Sequence, residues 1–165
     1  MTPNPYAADL GDREPVAAMK EAVDRIQTLT ASWTPEQFER SYATGKWTAR
    51  QILTHLAQTE IALGNRARMA LTTPNYAAQS FDQDQWMLLE GSGRPSRGLS
   101  GRDALAALVA TNAMNRALFA SLSQPDRQST FTHPEYGGLN VDWVIHQMAG
   151  HVRHHLEQIE RIARG

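Results

Sequence analysis

The stretch Gly150-His151-Val152-Arg153-His154-His155-Leu156-Glu157-Gln158-Ile159 constrains this chain more than any other, because three of its six histidines fall within five residues. His151 and His155 are four apart, so on a helix they stack one turn above the other and can aim two imidazoles at one point. Helical metal motifs use that spacing. A helix is expected there: Asn140 can cap it, Gly137-Gly138 break what precedes it, and Val141, Val144, Ile145, Met148, Val152, Ile159 and Ile162 recur as one apolar stripe. His155 falls within the stripe and His151 at its edge. His146 is directed to the far side, and His154 lies off the stripe facing solvent. Two inward histidines form either a hydrogen-bonded structural pair or part of a metal site, so a third ligand elsewhere matters.

The rest of the chain supplies partners for this helix. Residues up to Asp12 read as a loose arm, and Pro15 then opens a first helix through Val16, Met19, Val23 and Ile26 to about Ala31. Thr34-Pro35-Glu36-Gln37 is a capping box for a short connecting turn, closed by Gly45. Thr48-Ala49-Arg50-Gln51, with Trp47 just outside it, is a second capping box. The helix it opens runs through Ile52, Leu53, Leu56, Ile61 and Leu63 to about Ala70. His55 sits on the flank of that stripe, where it is either an ordinary flank histidine or a ligand. Glu60 falls on the stripe itself, and a buried carboxylate there must find a donor or reach solvent. It is a candidate to stand behind a metal ligand.

From Leu71 to Gly101 the pattern changes to a long connection holding a short apolar helix around Phe81, Trp86, Met87, Leu88 and Leu89, followed by Gly/Pro-rich sequence with Arg94 and Arg97. The two arginines can meet an acidic substrate, although such residues are more often simply solvated. The five apolar residues exceed what a connector needs and either seal a bundle end or form an interface. A connection this long frees the helices it joins from being antiparallel neighbours. Ser100 then caps a third long helix with Leu105, Leu108, Val109, Phe119 and Leu122 on one side. Asn112, Asn115 and Arg116 interrupt that side. They either line a cavity or hydrogen-bond water at a bundle end, and the segment Thr132 to Gly138 reads as a loop into the final helix.

A chain of 165 residues with 41% apolar content fits a single domain spanning residues 1–165. With 16 basic and 17 acidic residues it has no electrostatic footprint for nucleic acid or an anionic membrane. The absence of cysteine excludes disulfides, thiolate metal sites and a cysteine nucleophile, so any thiol chemistry must bring its sulfur with a cosubstrate. Neither a leader pattern nor a membrane-spanning run is present, which makes the cytoplasm the default expectation.

Four long amphipathic helices without a convincing strand predict an all-α bundle, and bundle interiors are where facing helices assemble metal sites. His55, His151 and His155 would supply three neutral imidazoles, leaving the open position of a catalytic site rather than a structural one. Such ligands suit zinc, nickel or ferrous iron. His133, His146 and His154 are expected to take no part.

The motifs Lys46-Trp47-Thr48-Ala49-Arg50-Gln51-Ile52-Leu53-Thr54-His55-Leu56, His133-Pro134-Glu135-Tyr136-Gly137-Gly138 and His151-Val152-Arg153-His154-His155-Leu156-Glu157-Gln158-Ile159 resemble those of the DinB/YfiT-like metalloenzymes over nearly the whole chain. The resemblance implies a four-helix bundle with up-down-down-up connectivity, usually a homodimer, and a divalent metal on residues matching His55, His151 and His155. It also implies metal-assisted transfer of a small thiol such as bacillithiol or mycothiol to an electrophilic small molecule, or thiol-dependent isomerisation. A metal-dependent hydrolase and a non-enzymatic stress-response metal-binding bundle are the alternatives. Trp47 and the group of Asn112, Asn115 and Arg116 are then candidates for the pocket wall.

Overall fold

Each long helix needs its first backbone N–H groups satisfied by something outside the helix, and the capping residues in this sequence mark those starts. A computed structural model describes residues 2–90 and 98–165, with Glu90 described by its backbone only. Arg94 and Arg97 lie outside the described residues. The elements are α1 (Ala7–Leu10), α2 (Pro15–Thr30), α3 (Pro35–Phe38), α4 (Ala49–Thr72), α5 (Gln83–Glu90), α6 (Gly101–Ser121), α7 (Gln124–Arg127), β1 (Thr130–His133), β2 (Gly137–Asn140) and α8 (Val141–Arg164). The expected caps are in place. Gln51 N donates to Thr48 Oγ1 at 3.3 Å while Thr48 N donates back to Gln51 Oε1 at 2.9 Å. Trp143 N donates to Asn140 Oδ1 at 2.8 Å, which fixes the start of α8.

Four long helices form the bundle. α4 packs against α6 and α8, and α2 packs against the same two, so α2 and α4 occupy opposite corners. Helices α4 and α6 start at the same end: Ala49 N donates to Arg40 O at 2.9 Å, and Gly101 packs on the nearby Phe38. They are therefore parallel, and the chain between them must return the whole length of a helix of about 36 Å. α2 and α8 also run together, since Asp9 meets Arg153 and His154 while Arg25 meets Glu160 further along. The connectivity is up-down-down-up.

The crossover is pinned at two places. Ala78 N donates to Thr132 O at 2.8 Å and Thr132 N donates to Tyr76 O at 3.1 Å, laying residues 76–78 along β1. Gln58 Nε2 then donates to the Trp86 carbonyl at 3.1 Å, which ties α5 to α4. The apolar residues of α5 divide: Met87 is buried, whereas Leu88 and Leu89 are exposed. Ile61, expected within the inward stripe of α4, is 52% exposed.

Two segments depart from the sequence expectation. Residues 132–138 belong to an antiparallel hairpin, β1 with β2, with Thr130 opposite Asn140 and His133 opposite Gly137. Its strands are too short for alternation to show, and Gly137 takes the positive φ of 69° that closes the three-residue turn. The arm before Asp12 is docked, with Leu10 buried against α8. The signal for that docking lies 140 residues away, in Gly150: a Cβ there would overlap the Tyr6 carbonyl.

Glu60 joins α4 to α6. Asn112 Nδ2 donates to its Oε1 at 2.8 Å, and Asn115 Nδ2 donates to its Oε2 at 2.7 Å. Each asparagine is oriented by an arginine: Arg116 Nε donates to Asn112 Oδ1 at 2.8 Å and Arg68 Nη1 to Asn115 Oδ1 at 2.6 Å. Gly64 leaves the space that Asn115 fills. Burial pushes the Glu60 carboxyl pKa up, and the asparagine bonds and Arg116 partly oppose it. Asn115→Ala removes a donor from a buried acceptor and should lower the unfolding free energy by about 1–3 kcal/mol in urea denaturation. Because the folded-state pKa of Glu60 is raised, its protonation favours the fold below the ordinary carboxylate range, and that contribution is lost as pH rises through the folded value. The wild type should therefore lose stability relative to Glu60→Gln as pH rises, measured by denaturation from pH 4 upward.

Candidate metal centre

His55 lies two turns inside α4, and the Thr48 capping box sets its rotation. His151 and His155 lie one turn apart on α8. All three are buried, at 2%, 5% and 7% exposure. Their Nε2 atoms converge: His55 to His151 is 3.0 Å and His155 to His151 is 3.1 Å. Imidazole nitrogens sharing one ion at ordinary metal–nitrogen lengths stand about 2.9–3.4 Å apart, for ligand angles between right-angled and tetrahedral. Among the described residues these three form the group of side chains that can hold a metal.

Protonation state supports the same fit. Burial, with the neighbouring His155 adding to it, pushes the His55 imidazole down to about 3. Burial pushes His155 down to about 4 and the Gln158 hydrogen bond acts against it, while His151 is held well below its ordinary value by burial and its histidine neighbours. At neutral pH all three rings are uncharged and offer lone pairs. The direction of the lone pair on His155 follows from an outer chain of hydrogen bonds. Its Nδ1–H donates to Gln158 Oε1 at 2.9 Å, Gln158 Nε2 donates to His154 Nε2 at 3.3 Å, and His154 Nδ1–H donates to Asp9 Oδ1 at 3.2 Å. His155 Nε2 is left bare and more basic, the arrangement that metal-binding histidines use. The residues present fit a divalent ion.

Trp47 stands with its ring 4.9 Å from that of His55, and Tyr6 meets His151 edge-on at 5.0 Å. The docked arm thus covers the site from the α8 side. A cavity of roughly 250 Å³ opens beside His55 and His151, walled by Thr59 and Arg66 of α4, Gln147 of α8, His133 and Glu135 of the hairpin, and Phe81. A second hollow of roughly 370 Å³ shares Arg66 and Phe81 with it.

The sequence candidates therefore fall into two places. Trp47 is against the histidines. Glu60, Asn112, Asn115 and Arg116 are brought together with one another at the α4–α6 contact and do not line the cavity, because Glu60 is turned about 140° from His55 around the helix. The expected pocket wall is formed by other residues. His146 bonds to the Asp142 carbonyl, and His133 is outside the three-histidine cluster but lines the cavity. Thr59, Arg66 and Gln147 were not singled out from the sequence, although they continue the ligand stripes: His55, Thr59 and Arg66 along α4, and His155, His151 and Gln147 back along α8.

Known proteins share this chain's sequence pattern and its fold. The sequence pattern of the DinB superfamily matches residues 18–159. The chain belongs to the DinB superfamily. An Oceanobacillus iheyensis relative, provisionally named a metal-dependent hydrolase, is 30% identical over 129 residues, which is 78% of this chain and 72% of that protein. A Bacillus licheniformis relative with the same kind of name is 27% identical over 94% of this chain and 88% of its own length. The fold is that of YfiT from Bacillus subtilis, a four-helix bundle of unusual topology, at TM-score 0.78 and 22% identity over 91% of this chain and 84% of that one.

Alanine at His55, His151 or His155 should each abolish stoichiometric divalent metal in the purified protein, measured by elemental analysis, whereas His146→Ala should leave it intact. Gln158→Leu removes the acceptor that orients His155 and should weaken metal affinity about 10–100-fold in a chelator competition.

Proposed function

We propose that this protein is a metal-dependent enzyme that activates a small nucleophile beside the three histidines, and that the nucleophile is the sulfur of a low-molecular-weight thiol transferred to an electrophilic small molecule. The observation that carries the reading is the one-sided site: three imidazole nitrogens from two helices with a cavity next to them, which leaves room for a further ligand and for its reaction partner. When bound, a divalent ion supplies the positive charge that lowers the pKa of a coordinated thiol or water.

What the chain's own residues do follows from their placement. His55, His151 and His155 are neutral and pre-aimed, so little reorganisation accompanies binding of the ion. Trp47 and Tyr6 shut out water from two sides and keep the local dielectric low. A thiol bound at such an ion would be ionised by the metal's charge, its proton passing to solvent at the mouth of the cavity, and the sequence has no cysteine of its own to offer. Zinc and nickel both suit the donor set, as does ferrous iron.

A second reading has an observation of its own. Glu135 is the carboxylate among the described residues that wall the cavity, and it can take a proton from an attacking water. Together with the names of the relatives, this supports a metal-dependent hydrolase. The two readings are separated by incubating metal-loaded protein with several biological thiols and monochlorobimane, and in parallel with chromogenic esters and amides. The expected result is metal-dependent thiol conjugation that is lost in His155→Ala and retained in Glu135→Gln. Ester or amide hydrolysis that depends on Glu135, without thiol conjugation, replaces the first reading by the second.

A further inference from the structure

The cavity beside the histidines contains polar atoms that the protein itself leaves unused. Thr59, His133 and Gln147 each bury a polar side-chain atom with no hydrogen-bond partner: Thr59 Oγ1, His133 Nε2 and Gln147 Oε1. All three residues line this one cavity. Thr59 and His133 are 6% and 5% exposed, so bulk solvent does not serve their atoms. Leaving such groups unpaired is costly, and in native structures a ligand or ordered water usually accounts for them.

The chemistry of each atom can be assigned. Glu135 N donates to His133 Nδ1 at 3.2 Å, which makes Nδ1 the acceptor and places the proton of the neutral ring on Nε2. His133 therefore presents an N–H to the cavity. Helical threonines elsewhere in the chain satisfy themselves on the carbonyl one turn back, as Thr30, Thr54, Thr72 and Thr111 do. Thr59 does not, and its hydroxyl is left for the cavity. Arg66 commits one N–H to the Gln79 carbonyl at 2.8 Å and keeps others. Glu135 shares the cavity and its charge acts on both Arg66 and His133, but it stands beyond ion-pair distance of Arg66 among the described residues and accepts from Ser80 Oγ.

These donors are arranged along the cavity. Arg66 is eleven residues beyond His55, about 16 Å along the helix axis, and a helical side chain leans back toward the N-terminus, here toward His55. One end of the cavity thus meets two metal-binding histidines, and the other meets a cation and an N–H donor, the pair that recognises a carboxylate.

We propose that the cavity selects a small substrate bearing a carboxylate, held between the Arg66 guanidinium and the Nε2–H of His133, with its reacting end at the three histidines and its middle against Thr59 and Gln147. The proposal rests on the metal-site reading above and names the substrate class for it. Arg66 and His133 set specificity and do not touch the reacting atoms.

The probes are ω-mercaptocarboxylates and ω-mercaptoalcohols of matched length, roughly two to six carbons, chosen to span the gap set by the helix rise. Binding to the metal-loaded protein is measured calorimetrically. At one chain length the carboxylate should bind about tenfold or more tightly than the alcohol, the scale of charge-assisted hydrogen bonds. That preference should disappear in Arg66→Gln, the carboxylate binding no more tightly than the alcohol of the same length. It should also fall in His133→Asn, whose Oδ1 can still accept from Glu135 N while the Nε2–H is gone. Thermal melts of both variants check folding, and Arg66→Lys, which keeps the charge, should retain part of the preference. Equal affinities across the series, or a preference that survives in both Arg66→Gln and His133→Asn, overturn the proposal. The metal reading is followed separately through the thiolate absorption of the cobalt-substituted protein with the alcohols. Absorption without carboxylate preference leaves the metal site standing and removes the carboxylate site. An Arg66-dependent preference without absorption does the reverse.

Discussion

Three buried, uncharged imidazoles bring their Nε2 atoms to 3.0 and 3.1 Å spacings around His151. Hydrogen bonds between neutral rings can join them only in pairs, whereas one cation can take a lone pair from all three at once. The rest of the bundle holds α4 and α8 in the one relative position that allows it. The Thr48 capping box sets the rotation of α4 and Asn140 that of α8. Glu60, on the side of α4 away from His55, locks that helix to α6 through two asparagines whose amide orientation is fixed by arginines donating to their oxygens. One face of α4 thus carries stability and another carries chemistry, and neither asks for the other's residues.

Diagonal placement of α2 and α4 has a similar logic. It lets α4 lie against α8 in opposite directions, so the ligand stripes continue past each other: down α4 from His55 to Thr59 and Arg66, and back along α8 from His151 to Gln147. A cavity extended by about three turns along α4 and one along α8 results, closed by the hairpin that precedes α8 and by the crossover laid along β1. The long connection serves the topology and also supplies Phe81 to the cavity wall.

Much of this was legible in the sequence. Spacing and capping signals located the four long helices to within a few residues, and the stripe analysis aimed His151 and His155 inward. Periodicity alone left His55 as a flank residue, and the family resemblance is what joined it to the other two. Asn112, Asn115 and Arg116 were recognised as out of place on an apolar face, but their partner could not be identified. Which face of α4 meets α6 depends on a parallel packing that no local pattern encodes. The hairpin was missed because four-residue strands with Gly137 and Gly138 in one of them carry no alternation. The arm was missed because its anchor is an absent side chain, Gly150, and a glycine inside a helix reads first as a weakness.

The contact that Gly150 permits also bears on when the site can form. Tyr6 packs on His151, and His55 reaches His151 across 96 residues of chain. Contacts of such sequence separation are made only after long loops have closed, at an entropic cost that local helix formation does not share. On a ribosome the segment holding Tyr6 and the helix holding His55 are complete long before α8 exists, and both must wait for it. Until then Leu10, Trp47 and the inner face of α4 lack the surface that covers them in the native bundle, so the unfinished chain is at its stickiest just before its last helix arrives.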